Sequence, residues 1–243
     1  MSQQNNLTNK SKLTCVSGYW KIKNKHGNSF NDWFNNTLKI NCPYVFFGDK
    51  ESIALIKKYR KDFPTYYIEL NIEDFKTYKY KDNMITNKTH CPSIELNLIW
   101  NEKIFLIQHA LKINPFSSDF FMWIDAGICV YRNNIPPSIP FPNIDKLNKL
   151  PEDKFIYSST HNTVYNSNFK KGQYHLYHHV SGTYILHKNI INKFVDVYSE
   201  YLKLIDKNDI WTDQVILTLI YKYNKDFFYK YCDGYGKLCS NLF

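Results

Sequence analysis

Residues 119–127 read Asp-Phe-Phe-Met-Trp-Ile-Asp-Ala-Gly, and this stretch limits the choice of fold more than any other. From Phe120 to Ile124 the chain is apolar without alternation. A strand that is apolar on both faces belongs inside a mostly parallel sheet covered by helices. The run ends in a carboxylate, Asp125, followed by Ala126 and Gly127. In open α/β sheets, ligands bind beyond the C-terminal ends of the strands, and two small residues leave room there. An ordinary Asp-Gly turn reads the same way, so the stretch alone leaves site and turn both open.

The flanking sequence supplies the alternating elements such a sheet needs. Residues 13–17 predict a first strand, giving way to Gly18, where backbone can approach a ligand or simply turn. Ser29 can cap a helix with Phe30, Trp33, Phe34 and Leu38 on one face. Residues 44–47 predict a second strand closed by Gly48 and Asp49, residues 51–61 a helix, and residues 66–70 a third strand. That is the doubly wound pattern, and right-handed crossovers set such strands side by side. Residues 71–92 read as a polar surface excursion near the ligand edge. Ser93 can cap a long helix through Leu111, which Asn114 and Pro115 end.

Beyond the 119–127 run, the proline-rich stretch 135–142 cannot pair as a central strand. Residues 143–150 suit a short helix, 155–158 a strand, 160–173 a polar loop and 183–186 a strand. An amphipathic helix is expected over 189–204 and another from Trp211, capped by Thr212 or Asp213. A last strand at 226–229 and an irregular end over 232–243 complete the chain. Residues 1–12 read as a loose N-terminal tail and 13–243 as one domain without internal repeats.

The 243 residues are enough for one sizeable core, and 44% hydrophobic content excludes a disordered chain. The formal charge is +9, yet the lysines are spread along the chain. A phosphate-bearing small molecule is therefore the expected partner, and no nucleic acid. The six cysteines include no Cys-x-x-Cys pair, so they read as scattered thiols and not as a disulfide framework or zinc site. With no apolar leader and no span long enough for a bilayer, a cytoplasmic protein without a transmembrane segment is expected.

Four pieces follow one another in order: Trp100-Asn-Glu-Lys103, Trp123-Ile-Asp125-Ala-Gly127, Val180-Ser-Gly182 and Trp211-Thr-Asp213-Gln214. With the Asn-Pro-Phe-Ser run at 114–117, this set resembles the HtrL/YibB (WlaTC-like) family, which looks like a small GT-A-type nucleotide-sugar transferase. The resemblance extends from residue 13 onward. It implies a GT-A-like, Rossmann-like mostly parallel sheet flanked by helices in a single α/β domain. It also implies a glycosyltransferase moving a sugar, hexosyl or N-acetylhexosaminyl, from a UDP-linked nucleotide-sugar donor to a glycan or glycoprotein hydroxyl. The alternative is a catalytically inactive nucleotide-sugar- or glycan-binding module of the same fold.

By that resemblance, donor binding falls to Gly18, Asp49, Arg60, Lys103, Asp125 and Gly127. Acceptor binding falls to His179, Ser181 and Gly182, with His178 the other histidine available. Asp213 is the acceptor-facing carboxylate: in an inverting reaction it takes the acceptor hydroxyl proton, and in a retaining one it orients the sugar while Gln214 lies nearer the anomeric carbon. GT-A enzymes end the acidic strand in Asp-x-Asp and bind a divalent metal there. Here Asp125 matches the first position, but the second is Gly127, a departure that leaves Asp125 alone as the expected ligand for Mn²⁺ or Mg²⁺, or as a partner of donor hydroxyls with Lys103, Lys21 and Arg132 neutralising the diphosphate. Read without the resemblance, Lys103 can equally be solvated, the histidines a surface or core pair, and Asp213 a plain helix start.

Overall fold

The computed structural model describes residues 11–24, 26–160, 178–204, 210 and 212–243. Most of the expected tail, nearly all of the polar loop at 160–173, and Trp211 lie outside the described residues.

Seven strands form one sheet: β1 (Leu13–Gly18), β2 (Tyr44–Gly48), β3 (Thr65–Glu69), β4 (Phe120–Trp123), β5 (Phe155–Ser159), β6 (Val180–His187) and β7 (Phe228–Asp233). Their order is β3-β2-β1-β4-β6-β5-β7. Every pairing is parallel except those of β6, which runs antiparallel to β4 and β5. The first three strands step outward on one side of β1 and β4 pairs on its other side. The chain therefore reverses its winding between β1 and β4, and a crevice at the strand ends follows from that topology.

Register then sets the rim of the crevice. Val16 pairs with Trp123, and Trp123 with Tyr184. Continued by two residues, the same register brings Gly18, Asp125 and Gly182 level. A lone carboxylate thus stands between two residues without side chains.

The period-two alternation of side chains divides the sheet between two cores. Val16, Phe47, Phe121, Trp123 and Tyr184 face one of them, under helices α3 (Ile94–Ile113), α5 (Lys188–Leu204) and α6 (Asp213–Tyr223). Cys15, Tyr44, Phe46, Phe120, Met122 and Ile185 face the other. That face is covered by α1 (Phe30–Thr37), α2 (Lys50–Tyr59), α4 (Ile144–Leu147) and α7 (Lys237–Asn241). The expected GT-A-like α/β class is the observed one.

Helix α3 is the spine of the first core. Ser93 caps it by accepting from the Leu96 amide at 3.2 Å, and Asn114 ends it in the left-handed region at φ 38°. Polar residues on its buried side tie down segment 71–92. Asn97 Nδ2 donates to the carbonyls of Ile85 and Ile210, and Glu102 accepts from the amides of Lys76 and Thr77 and from the Thr77 hydroxyl. Burial pushes the Glu102 carboxyl up to about 7 against those bonds. The segment expected to be a surface excursion in fact buries Ile72, Phe75, Met84 and Cys91. Its charged residues concealed a sparse apolar set that matches neither helix nor strand period.

Two further expectations are corrected. The end of the chain is not irregular throughout: Gly234 and Gly236, at φ 109° and 72°, turn it into α7, which buries Leu238 and Cys239. Arg60, expected at a nucleotide, is a structural cation 1% exposed. Its guanidinium donates to the carbonyls of Leu38, Ile40, Cys42 and Pro64 and to Thr65 Oγ1, and stacks 3.9 Å from the centre of the Tyr44 ring. Each buried carbonyl left unmatched costs about 1–3 kcal/mol. Arg60→Met should therefore lower unfolding free energy by roughly 3 kcal/mol or more. A urea titration checks this; a change within about 0.5 kcal/mol, as at an ordinary surface site, would contradict it.

Candidate functional site

Beyond β1 and β4 lies a cavity of about 590 Å³, within the size range of small-molecule sites. Gly18, Lys103, Asp125, Gly127, Asp213 and Gln214 all border it. Four separate stretches of sequence bring these residues together there.

Its charged centre is Lys103, 3% exposed on the sheet side of α3. The Lys103 ammonium lies 3.2 Å from Asp125 Oδ1 and 3.3 Å from Asp213 Oδ2. Burial works against its charge, but Asp125 and then Asp213 more than offset this and hold it well above the ordinary lysine range. Asp125 is oriented from its own strand, because Trp123 Nε1–H donates to Asp125 Oδ1 at 2.8 Å. Its side chain is 35% exposed, so it is the open member of the cluster. Asp213 is the closed one: burial pushes its carboxyl up to about 6, with Lys103 opposing. Among the described residues, Asp213 Oδ2 has that ion pair and no hydrogen bond.

Gly182 explains how a lysine fits here. A Cβ at Gly182 would stand 3.2 Å from Lys103 Nζ, 3.5 Å from Tyr235 Oη and 3.9 Å from Asp213 Oδ2. The missing side chain lets the ammonium lie against β6. Gly182 belongs to the cluster, although it does not border the cavity.

Tyr235 was not expected. It borders the cavity from the turn before α7; the residue is 38% exposed, but its hydroxyl is turned in beside Gly182, where enclosure and then Asp125 raise it above the ordinary tyrosine range. The only hint of it in the sequence is the Gly-Tyr-Gly run at 234–236, which marks a turn whose destination depends on the fold.

Of the other expected residues, Asp49, Arg60, His179, Ser181 and Lys21 lie away from the cavity lining. Asp49 caps α2, accepting from the Ser52 amide at 2.7 Å, and does not border the cavity. Arg60 is buried as described. His179 lies beneath α6, with Nε2 3.0 Å from the Tyr157 hydroxyl and its amide donating to Thr218 Oγ1; burial pushes it down to about 4. His178 borders the cavity in its place. Ser181 is fully buried, 3.0 Å from Ser158 Oγ, and donates to the Thr183 carbonyl. Adjacent residues of a strand point to opposite faces, and β6 begins one residue after His179. Lys21 is exposed and does not border the cavity; Arg132 does, donating to the Gly127 carbonyl and stacking on Trp33. Gln214 also borders it while donating from Nε2 to the Val180 carbonyl.

A divalent cation, which the Asp-x-Asp pattern implies, takes several oxygen ligands. Among the described residues, no three His, Cys, Asp or Glu side chains converge. The direction of a second carboxylate is blocked, since a Cβ at Gly127 would lie 2.8 Å from the Trp33 ring and 3.2 Å from that of Phe30. The place between Asp125 and Asp213 already holds an ammonium. At an effective dielectric of about 20, a doubly charged ion about 4 Å from it is repelled by roughly 8 kcal/mol. These residues do not fit a divalent cation. Gly127→Asp, which rewrites the motif, should lower stability by about 1–3 kcal/mol through overpacking. Thermal unfolding with and without Mn²⁺ checks it; a Tm raised by the ion would contradict the expectation.

Fold and site together define a GT-A-like α/β chain with an acid–lysine–acid cluster at a strand-end cavity. A family model described as "Bacterial protein of unknown function (HtrL_YibB)" matches residues 60–238. That is more than half of the chain, which belongs to this family. Lys103, Asp125, Gly182 and Asp213 lie inside the matched region. No curated protein matches. Mouse xyloside xylosyltransferase 1, in its apo form, is structurally similar with a TM-score of 0.54 and 13% identity, over 90% of this chain and 84% of that one. The glycosyltransferase GlyE of Streptococcus pneumoniae TIGR4 aligns with a TM-score of 0.43 and 10% identity, over 92% of this chain and 45% of that one. At these identities the likeness to the mouse protein speaks for the fold. Among the described residues, no helix is long and apolar enough to cross a membrane.

Proposed function

We propose that this chain is a glycosyltransferase that takes a sugar from a UDP-linked donor and passes it to a glycan or glycoprotein hydroxyl. The observation that carries the reading is the Lys103–Asp125–Asp213 cluster at the edge of the strand-end cavity. The mouse xyloside xylosyltransferase whose fold this chain resembles agrees with it.

The roles follow from exposure and charge. Asp125, the half-exposed acid, accepts hydrogen bonds from donor hydroxyls. Gly18 lets backbone approach the nucleotide. Lys103 and Arg132, which both border the cavity, offset the charge of the departing diphosphate. A fixed cation aimed at a leaving group acts strongly where water is excluded. Asp213, at the first turn of α6, faces the acceptor and takes its hydroxyl proton when ionised. Gln214, held by the Val180 carbonyl, positions the start of that helix.

A second reading is a binding module without turnover. It is favoured by the ion pair itself, because an acid already neutralised by lysine is a poor base. Release of nucleoside diphosphate from a panel of nucleotide sugars separates the two readings. Release from one donor, accelerated by an added acceptor, supports the transferase. Donor binding without release supports the module. Neither binding nor release from any donor removes both.

A further inference from the structure

We infer that Lys103 is the built-in cation of this site, standing where a divalent metal ion would otherwise be held, so that the site takes up no such ion. The inference deepens the nucleotide-sugar reading and rests on it for the identity of the ligand. Two independent features carry it.

The first is the position of the ammonium. It lies 3.2 Å from Asp125 and 3.3 Å from Asp213, paired with both of the acids that a shared metal ion would need. It cannot swing away at little cost. Its side chain is 4% exposed, with the Trp123 ring centre 5.7 Å from Nζ and Gly182 against it. Leaving would break both ion pairs and set two acids, one of them buried, against each other without a counter-charge.

The second feature is at Gly127. The two rings that block a Cβ there, Trp33 and Phe30, belong to α1, on the other side of the sheet from α3. They are part of an edge-on cluster with His26, whose ring centre is 4.7 Å from that of Trp33, and Arg132 stacks 3.9 Å from Trp33. The Ala126 carbonyl is fixed by the Thr37 hydroxyl and that of Gly127 by Arg132 Nε. The loop after β4 is thus built around aromatic rings where a metal site would need a second acid. Loss of one carboxylate and gain of a buried lysine remove the same ligand sphere from two directions. An ammonium can still neutralise phosphate oxygen as a point charge.

Manganese(II) electron paramagnetic resonance tests this directly, since bound Mn²⁺ loses the six-line signal of the free ion. Wild-type protein should leave that signal undiminished, beyond what UDP itself removes, with and without UDP present. Lys103→Met should take up Mn²⁺, because two acids then face each other without a counter-ion. In EDTA, UDP should bind the wild type as well as in Mn²⁺, and Lys103→Met about tenfold or more weakly, as loss of a charge-assisted bond implies. Uptake of Mn²⁺ by wild-type protein that Asp125→Asn abolishes would overturn the inference, whether or not UDP is present. The wild-type arm does not depend on any variant folding. If UDP fails to bind under either condition, the nucleotide-sugar reading falls, while the manganese signal still decides the role of Lys103.

Discussion

Asp213→Asn is expected to lower donor turnover by about 10²–10⁴-fold, the contribution of one positioned proton acceptor. The substitution keeps shape and removes the ionisable oxygen. The pH dependence distinguishes a chemical role from a structural one. Burial raises the Asp213 carboxyl to about 6. If it serves as base, turnover should climb through about pH 6 and level above it, and Asp213→Glu should keep a displaced version of that profile. The stability contribution runs the other way. A carboxyl whose folded value is raised above its ordinary value of 3.8 favours folding fully below that value, and loses the contribution as pH rises through about 6. Activity and this share of stability should therefore change in opposite directions over the same window. Asp213→Asn should flatten both curves. A variant with a normal pH profile and normal turnover would leave Asp213 as a helix-start residue.

Lys103→Met carries the second large effect, on stability and turnover together. Removing one partner of a buried ion pair typically costs about 3–5 kcal/mol, because the other charge stays buried without a partner. Here two acids lose their shared cation, and turnover should also fall by about 10²–10³-fold if the ammonium offsets leaving-group charge. A double-mutant cycle separates these effects. Lys103→Met with Asp213→Asn should be less destabilised than the two single changes added together, since only Asp125 then remains charged, and it is half exposed. Turnover should stay low in the double variant. Restored turnover would make Lys103 a packing residue and nothing more.

Much of the frame was legible in the chain, for identifiable reasons. The unbroken apolar run at 120–124 reads as a central strand, and Phe120–Trp123 is one. Ser93 and Asn114 marked the ends of α3 because capping chemistry is local. Asp125, Lys103 and Asp213 stand in separate motifs of the sequence, and the fold brings them within ion-pair distance. What was not legible depended on distance through space. Arg60, expected at the donor, is instead held by the carbonyls of Leu38, Ile40, Cys42 and Pro64, an arrangement that only the folded chain brings together. The choice between His178 and His179 turned on where β6 begins, one residue decided by pairing and not by composition. The length of β6, antiparallel and eight residues long, was under-read because its Ser, Gly and Thr residues weaken the apolar pattern. Tyr235 is delivered by two glycines at positive φ, which fix a turn and say nothing of where it leads.

Titration calorimetry of UDP-linked sugars against wild-type protein and Asp125→Ala, both in EDTA, asks the central question most directly. The expected result is saturable heat from a nucleotide sugar with the wild type and none, or at least tenfold weaker binding (about 1.4 kcal/mol), with the variant. Equal binding by both proteins would contradict the assignment, because the carboxylate level with Gly18 and Gly182 would then take no part in holding the donor.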